Sequence, residues 1–196
     1  MMDRIGVPSM PRDPRPGGRK PLAGRPGRRL ASLAMRIRDY TDADWAHVWP
    51  ILSDVLATAD TFAYDPDWPP ETAREVWVER PPGRTSVAVD HDGVVRGTAK
   101  MGPNRPGPGS HVATASFMVA AEARGRGVGR ALCAEALDWA RRQGFAAMQF
   151  NAVVETNTAA VELYRRLGFA VVGTVPEAFA HPTRGRVGLH VMHRRL

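Results

Sequence analysis

The chain has 196 residues, a hydrophobic fraction of 43%, a formal net charge of +7 and one cysteine. This length suits one domain with a proper core. Cys133 lies in a helical apolar stripe and is predicted to be a packed core thiol, and a single cysteine excludes an internal disulfide and a multi-cysteine zinc site. No apolar run is long enough to span a bilayer, and the N-terminus lacks a signal-peptide core. We therefore expect a cytoplasmic protein with no membrane partner.

The positive charge is concentrated in residues 1–34. They hold eight arginines and lysines against two aspartates, or +6, which leaves +1 for residues 35–196. The segment is rich in proline and glycine and poor in large apolar residues, so it is predicted to be a disordered basic tail. It could equally be an upstream extension of the reading frame. We expect no nucleic-acid partner beyond weak contact through this tail.

From Met35 onwards, the sequence alternates between short strands and amphipathic helices. The predicted elements are a strand at 35–40, helices at 45–57 and 71–80, a hairpin at 84–101, a strand at 112–120, a helix ending at Gly144, a strand at 146–154, a helix ending at Gly168, and strands at 170–176 and 186–196 joined by a loop at 177–185. The order β α α β β β α β α β β predicts a mixed α/β sheet with helices on its faces. Residues 35–196 are thus predicted to form the functional domain.

The stretch "EARGRGVGRAL", Glu122 to Leu132, joins a predicted strand to a predicted helix. A Rossmann fingerprint would need its third glycine where Arg130 or Leu132 stands, and a P-loop would need a Gly-Lys pair, so both fail. Uncovered glycine amides, a helix N-terminus and three arginines suit a pyrophosphate. The alternative is a plain glycine-rich turn with solvated arginines.

Two blocks carry a family resemblance. Arg124-x-x-Gly127-x-Gly129 resembles the acetyl-CoA signature of the GCN5-related N-acetyltransferases (GNAT), and "NTAAVELYRRLGF" from Asn157 to Phe169 resembles the second block of that family. The resemblance implies the GNAT fold, a mixed, mostly antiparallel sheet of about seven strands with splayed central strands and flanking helices. It also implies acetyl-CoA as co-substrate, with no metal, and leaves a homodimer open.

The resemblance further implies which residues contact acetyl-CoA. The backbone of the fourth strand would hold the pantetheine arm and the glycine-rich turn would hold the pyrophosphate. The implied contacts are Phe117, Met118, Val119, Arg124, Gly125, Arg126, Gly127, Val128, Gly129, Arg130, Asn157 and Tyr164.

Direct transfer of acetyl to an amine needs a base, an oxyanion donor and an acid for the leaving thiolate. Tyr164 matches the family tyrosine near the sulfur and is the predicted acid, unless it only packs. The resemblance also implies a backbone N–H near Val119 as the oxyanion donor. Asn151 interrupts an apolar strand, so its amide is predicted to bind the acceptor or the oxyanion, or else to hold strand backbone.

The general base is open, because many family members place a glutamate on the fourth strand and this chain has none there. The candidates are His111, Glu155 and His181, with a water chain or an already neutral amine as alternatives. His190 and His193 stand three apart on a strand and so face opposite sides, which argues against a metal pair.

The acceptor side is predicted to use Phe62, Tyr64, Asn151 and Thr114, with Lys100, Arg84 or Arg184 as the cation for a carboxylate. The C-terminal half looks similar to azetidine-2-carboxylate acetyltransferases, which act on imino acids. A third asparagine stands near the position of Thr114 in those relatives, and this chain departs from them there. We expect an N-acetyltransferase for a small amine, such as an amino or imino acid. The alternatives are a protein or peptide N-acetyltransferase and a non-catalytic CoA-binding protein whose tail contacts nucleic acid.

Overall fold

A computed structural model describes residues 35–196, and the predicted basic tail, residues 1–34, lies outside the described residues. Seven strands and four helices follow the predicted order. The strands are β1 (Arg36–Asp39), β2 (Arg84–Val89), β3 (Val95–Pro103), β4 (Val112–Val119), β5 (Ala147–Val154), β6 (Ala170–His181) and β7 (Gly185–Arg195); the helices are α1 (Trp45–Ala57), α2 (Pro70–Trp77), α3 (Val128–Arg142) and α4 (Thr158–Arg166).

The strands form one sheet in the order β1-β2-β3-β4-β5-β7-β6. Each neighbouring pair is antiparallel except β4 and β5, which are parallel. This is the mixed, mostly antiparallel sheet that the resemblance implied. Helices cover both faces of the sheet because each helix buries one apolar stripe. The stripe of α3 includes Val128, Leu132, Cys133, Ala136, Leu137 and Ala140, all buried.

The two faces of β3 are covered by different helices. A Cβ built on Gly97 would lie 3.0 Å from Val128 and 3.1 Å from Leu132, so this side of β3 packs directly on α3. The next residue, Thr98, accepts a hydrogen bond from the indole N–H of Trp77 at 3.0 Å, so the other side lies against α2. Side chains alternate along a strand, and this alternation decides which residues can reach the site from each side.

The start of the α1 region is fixed by the "TDAD" stretch, Thr41 to Asp44. Asp44 accepts hydrogen bonds from the backbone N–H and the hydroxyl of Thr41, at 2.8 and 2.9 Å. Its two oxygens also accept two 2.7 Å hydrogen bonds from Arg38. Asp44 is buried, and the Arg38 hydrogen bonds hold the pKa of its carboxyl well below the ordinary value. This cluster ties β1 to the first helix.

The predicted loop at 177–185 is wrong, because most of it is strand. β6 continues to His181, and β7 begins at Gly185 after a short turn. The register shifts between Val175 and Phe179, with Glu177 at a φ of +52°, and pairing then resumes opposite Val187. Burial of Phe179 against Val154 and Val187 explains why the hairpin extends. The second helix also ends earlier than predicted, at Trp77 instead of Arg80.

Candidate active site

The centre of the sheet opens between β4 and β5. These strands pair only at Val112–Ala147 and Ala113–Met148 and then separate. β5 also carries a bulge, because its pairing with β7 shifts register between Phe150 and Val153. A bulge bends its strand and re-aims side chains. Splayed central strands, as implied by the resemblance, are therefore present in the fold.

One edge of β4 presents unpaired backbone to this gap. Ala120 N–H donates to the Arg96 carbonyl, and the Val112 carbonyl accepts from Asn104 N–H, so the even-numbered residues of β4 point their backbone groups towards β3. Backbone direction alternates along a strand. The odd-numbered residues after the last paired position, including Phe117 and Val119, therefore face the gap.

This geometry corrects one predicted cofactor contact. The backbone of Phe117 and Val119 can bond to an extended ligand lying in the gap, as the resemblance implied. Met118 cannot do so, because its backbone is directed towards β3 and its side chain is buried in the core.

The glycine-rich turn leaves several backbone donors uncovered. Gly125 and Gly127 have φ angles of +73° and +85°, a region that residues with a Cβ rarely adopt, and a Cβ built on either would meet nothing within 4 Å. α3 begins at Val128, and its first intrahelical hydrogen bond runs from Ala131 N–H to the Gly127 carbonyl. The N–H groups of residues 128–130 thus remain available at the positive end of the helix dipole.

Three arginines surround these donors. Arg124, Arg126 and Arg130 are exposed, and within residues 35–196 none of them forms an ion pair with a carboxylate. Open space, free amides and uncommitted positive charge are what a pyrophosphate group requires. The turn and the gap together therefore fit the phosphate and pantetheine parts of acetyl-CoA.

A cavity of about 360 Å³ occupies the gap and reaches both faces of the sheet. Lys100 on β3 lies opposite Ser116 on β4, and both are on the side of Thr98, which faces α2; Thr114 is on that side too. Phe117 is on the opposite side, next to Tyr164 of α4. The cavity lining includes Phe62, Tyr64, Glu79, Lys100, Thr114 and Ser116 on the α2 side, and Phe117, Phe150, Asn157 and Tyr164 towards α4, with Asn151 at the bulge.

Tyr164 is held by an aromatic cluster. Its ring centroid lies 4.5 Å from that of Phe150, 6.2 Å from Phe117 and 6.0 Å from Phe169. Burial raises the pKa of the phenol above its ordinary value, so the hydroxyl keeps its proton at neutral pH. Among the hydrogen bonds of residues 35–196, none involves this hydroxyl, which is therefore free to donate to a group in the cavity.

Asn151 is the centre of a chain of amides. Its Nδ2 donates to Asn104 Oδ1 at 2.6 Å, and its Oδ1 accepts from Gln149 Nε2 at 2.8 Å. An amide has two N–H bonds and two acceptor lone pairs, so Asn151 keeps one of each for a ligand. Asn157 acts differently, because its Oδ1 accepts from Ala160 N–H at 3.2 Å and caps α4, while the residue also lines the cavity.

None of the three side chains predicted as bases lines the cavity. Glu155 accepts a 2.6 Å hydrogen bond from Gly188 N–H and helps to join β5 to β7. His111 is exposed and lies 3.0 Å from the Pro108 carbonyl, and His181 accepts from Thr183 N–H at the β6–β7 turn. Glu79 is the carboxylate that lines the cavity, and it was not predicted because the sequence placed it inside a helix at 71–80 and no local motif marks it.

Of the three predicted cations, Lys100 lines the cavity and the other two do not. Arg84 is paired with Asp39 and with Glu135 at 2.8 Å, and Arg184 is exposed in the β6–β7 turn. Phe62 and Tyr64, two residues predicted on the acceptor side, stack at 5.7 Å between ring centroids and form an aromatic wall of the cavity.

The one group of three neighbouring metal-ligand types within residues 35–196 lies elsewhere, at Asp90, His91 and Asp92 in the β2–β3 turn. Asp90 is already engaged there, by Arg96 at 2.7 Å and by two backbone N–H groups. No helix in the described part of the chain is long and apolar enough to cross a membrane.

A sheet that splays beside a pyrophosphate-type turn defines the class of acetyl-CoA-dependent N-acetyltransferase folds. The model of the acetyltransferase (GNAT) family matches residues 49–169, and the chain belongs to this family. A GCN5-related N-acetyltransferase from Kribbella flavida is 62% identical in sequence, with a TM-score of 0.81 over 83% of this chain and 98% of that one. The protein yncA from Salmonella typhimurium, solved with its cofactor acetyl-CoA, is 26% identical, with a TM-score of 0.70 over 83% of this chain and 94% of that one.

Among curated proteins, the L-methionine sulfoximine/L-methionine sulfone acetyltransferase of Pseudomonas aeruginosa is 33% identical over 150 residues, which are 74% of this chain and 86% of that protein. Two fungal relatives, each 33% identical, are matched over less of their length. The chain covers 46% of N-acetyltransferase aca1 of Schizosaccharomyces pombe and 13% of protein SPT10 of Saccharomyces cerevisiae.

Proposed function

We propose that the protein transfers acetyl from acetyl-CoA to the amine of a small amino-acid-like or imino-acid-like molecule. The observation that carries this proposal is the 360 Å³ cavity, which opens on both faces of the splayed sheet. Its volume is in the range of small-ligand sites, and its α2 side is walled by aromatic rings. A protein substrate would need an open groove. The Pseudomonas aeruginosa relative named for an amino-acid analogue, L-methionine sulfoximine, supports the same class of acceptor.

Each part of the site has a chemical role in this proposal. Acetyl-CoA supplies an activated acetyl thioester when bound. Residues 124–130 hold its pyrophosphate, and the backbone of Phe117 and Val119 holds the arm, with the Val119 N–H stabilising charge on the thioester oxygen. Tyr164 donates a proton to the departing sulfur, because burial keeps its phenol protonated.

The acceptor enters from the α2 side. Lys100 is suited to bind a carboxylate, since its Nζ donates to the Val76 carbonyl at 2.8 Å and retains further N–H bonds. The ring centroids of Tyr64 and Trp77 lie 5.8 and 5.9 Å from Nζ, within the range of cation–π contacts. Asn151 presents its remaining amide N–H and carbonyl to the same space.

Thiol release from acetyl-CoA tests the proposal. The purified protein is given amino acids, imino acids, methionine sulfoximine, matched amines without a carboxylate, and peptides. We expect turnover with the small carboxylates, weaker turnover with the amines, and none above background with the peptides. Turnover with peptides alone would support the protein acetyltransferase, and acetyl-CoA binding with no turnover on any acceptor would support the non-catalytic alternative.

Residues 1–34 provide a second test of that last alternative. A non-catalytic protein that acts through its tail should bind nucleic acid with an affinity that falls steeply with salt and disappears when the tail is removed. The proposed enzyme should keep its turnover number without the tail, because every residue of the cavity lies in the described part of the chain.

A further inference from the structure

The cavity contains one carboxylate and one ammonium group among the described residues, Glu79 and Lys100. Glu79 Oε1 lies 3.7 Å from Lys100 Nζ, which is within ion-pair range and longer than a hydrogen bond. Within residues 35–196, the side-chain oxygens of Glu79 accept no hydrogen bond. A partly buried carboxylate with unused acceptor sites can bind a positively charged ligand group.

The backbone of Glu79 is fixed although it lies just beyond α2. Its N–H donates to Thr85 Oγ1 at 2.9 Å, and that hydroxyl donates to the Trp77 carbonyl at 3.2 Å. A Cβ built on Gly83 would come within 2.9 Å of Glu79 Oε2, so the glycine leaves room for the carboxylate. The side chain is 35% exposed and thus reaches the cavity without being sealed from solvent.

Lys100 is poorly placed to serve as the base itself. Its Nζ donates a hydrogen bond to the Val76 carbonyl and makes cation–π contacts with the rings of Tyr64 and Trp77, so it acts as a donor and a positive charge. Its side chain is 17% exposed and lies opposite Ser116, which puts a positive charge beside Glu79. A zwitterionic acceptor could therefore meet both of its complementary charges at this pair.

We propose that Glu79 binds the ammonium group of the acceptor and removes its proton, while Lys100 binds the carboxylate. This assignment rests on the proposed function and gives the reaction the base that β4 does not carry, where Thr114 faces the same cavity. One proton passes from the ammonium nitrogen to a Glu79 oxygen and later leaves to solvent. The freed amine forms the C–N bond as the C–S bond breaks. The nitrogen then loses its second proton to solvent, while Tyr164 gives its proton to the sulfur and regains one from solvent, so the net reaction releases one proton.

The test compares Glu79→Gln with Glu75→Gln, a matched change at an exposed position within α2. We expect Glu79→Gln to lower kcat/KM for the acceptor by about 10²- to 10⁴-fold at pH 7, the range typical of a lost general base. Affinity for acetyl-CoA should be unchanged in both variants, and Glu75→Gln should behave as wild type.

The pH profile separates a base from a residue that only holds Lys100 in place. Without Glu79 the reaction must use acceptor whose amine is already neutral, so kcat/KM of Glu79→Gln should rise tenfold per pH unit up to the pKa of the amine. Acceptors with weakly basic amines should restore the turnover of this variant. If Glu79 only positions Lys100, Glu79→Gln should lower kcat/KM for all acceptors by the same factor and leave its pH dependence as in wild type. In a Lys100→Gln background, Glu79→Gln should then have no further effect. That outcome, or a Glu79→Gln variant with wild-type kcat/KM, overturns the inference, whereas a wild-type protein without turnover overturns the proposed function itself.

Discussion

Replacing Tyr164 by phenylalanine separates its chemical role from its packing role. The phenol hydroxyl has no hydrogen-bond partner among the described residues, so its removal should change the free energy of unfolding by less than about 1 kcal/mol. The ring, in contrast, packs on Phe117, Phe150 and Phe169. Tyr164→Ala should therefore cost about 3 kcal/mol, which corresponds to roughly 6–12 °C in Tm for a domain of this size.

The kinetic expectation for Tyr164→Phe is a loss of about 10²- to 10⁴-fold in kcat, typical of a missing general acid. Affinity for acetyl-CoA, measured by calorimetry, should remain within a factor of about three, because the ring still fills its place. Thiol release at saturating acetyl-CoA gives kcat, and thermal unfolding gives the stability. A Tyr164→Phe variant whose kcat stays within twofold of wild type would show that the residue only packs.

Three further predictions concern binding, pH and reactivity. Gly127→Ala should weaken acetyl-CoA binding and cost about 1–2 kcal/mol of stability, because its φ is positive. Gly144→Ala is the control, since Gly144 has a similar φ of +79° and equally open surroundings at the other end of α3; it should cost the same stability and leave the calorimetric Kd for acetyl-CoA unchanged. Equal Kd values in both variants would count against the pyrophosphate turn. Asp44→Asn should lower the free energy of unfolding by about 2 kcal/mol at pH 7. Because hydrogen bonds from Arg38 lower the pKa of the Asp44 carboxyl, the difference from wild type should shrink as the pH falls below about 4. A difference that stays constant in acid denaturation curves would refute this. Burial raises the pKa of the Cys133 thiol to about 12, so a disulfide reagent should find no reactive thiol in the native protein and one per chain after unfolding; rapid native labelling would contradict the core placement.

The order of elements could be predicted because helix stops and hairpin turns are local signals. Gly144 and Gly168 follow the two C-terminal helices with positive φ angles, as C-terminal glycines do. The length of β6 could not be predicted in this way. Its continuation past Glu177 depends on Phe179 meeting Val154 and Val187, a contact between residues distant in sequence.

The acetyl-CoA side of the site could be predicted for a similar reason, because residues 124–130 are contiguous and this one turn contains both the glycines and the arginines that suit a pyrophosphate. Met118 was included wrongly because a sequence does not say which edge of a strand faces a gap. The acceptor side combines residues from the α1–α2 loop, from the segment after α2, and from β3, β4 and β5, so Glu79 and Lys100 come together only in the folded sheet. The residues that line the acceptor side depend on contacts between segments distant in sequence, which explains why the three side chains predicted as bases all fall outside the cavity.

The amide chain offers a last test, at Thr114, where the resemblance to azetidine-2-carboxylate acetyltransferases would place a third asparagine. Thr114 lies opposite Gly102 on β3, and Asn104, two residues further along, donates its N–H to Val112 and accepts from Asn151 at 2.6 Å. An asparagine from the neighbouring strand end thus supplies an amide near the place where Thr114 lacks one.

Removing that amide should free the Asn151 side chain to rotate. We expect Asn104→Ala to raise the acceptor KM by about 3- to 10-fold, the equivalent of one hydrogen bond, with acetyl-CoA affinity unchanged. Arg105→Ala is the matched control, because Arg105 is exposed next to Asn104 and does not line the cavity. If both variants raise KM equally, the effect belongs to the loop as a whole; if neither does, the Asn104–Asn151 contact does not position the acceptor.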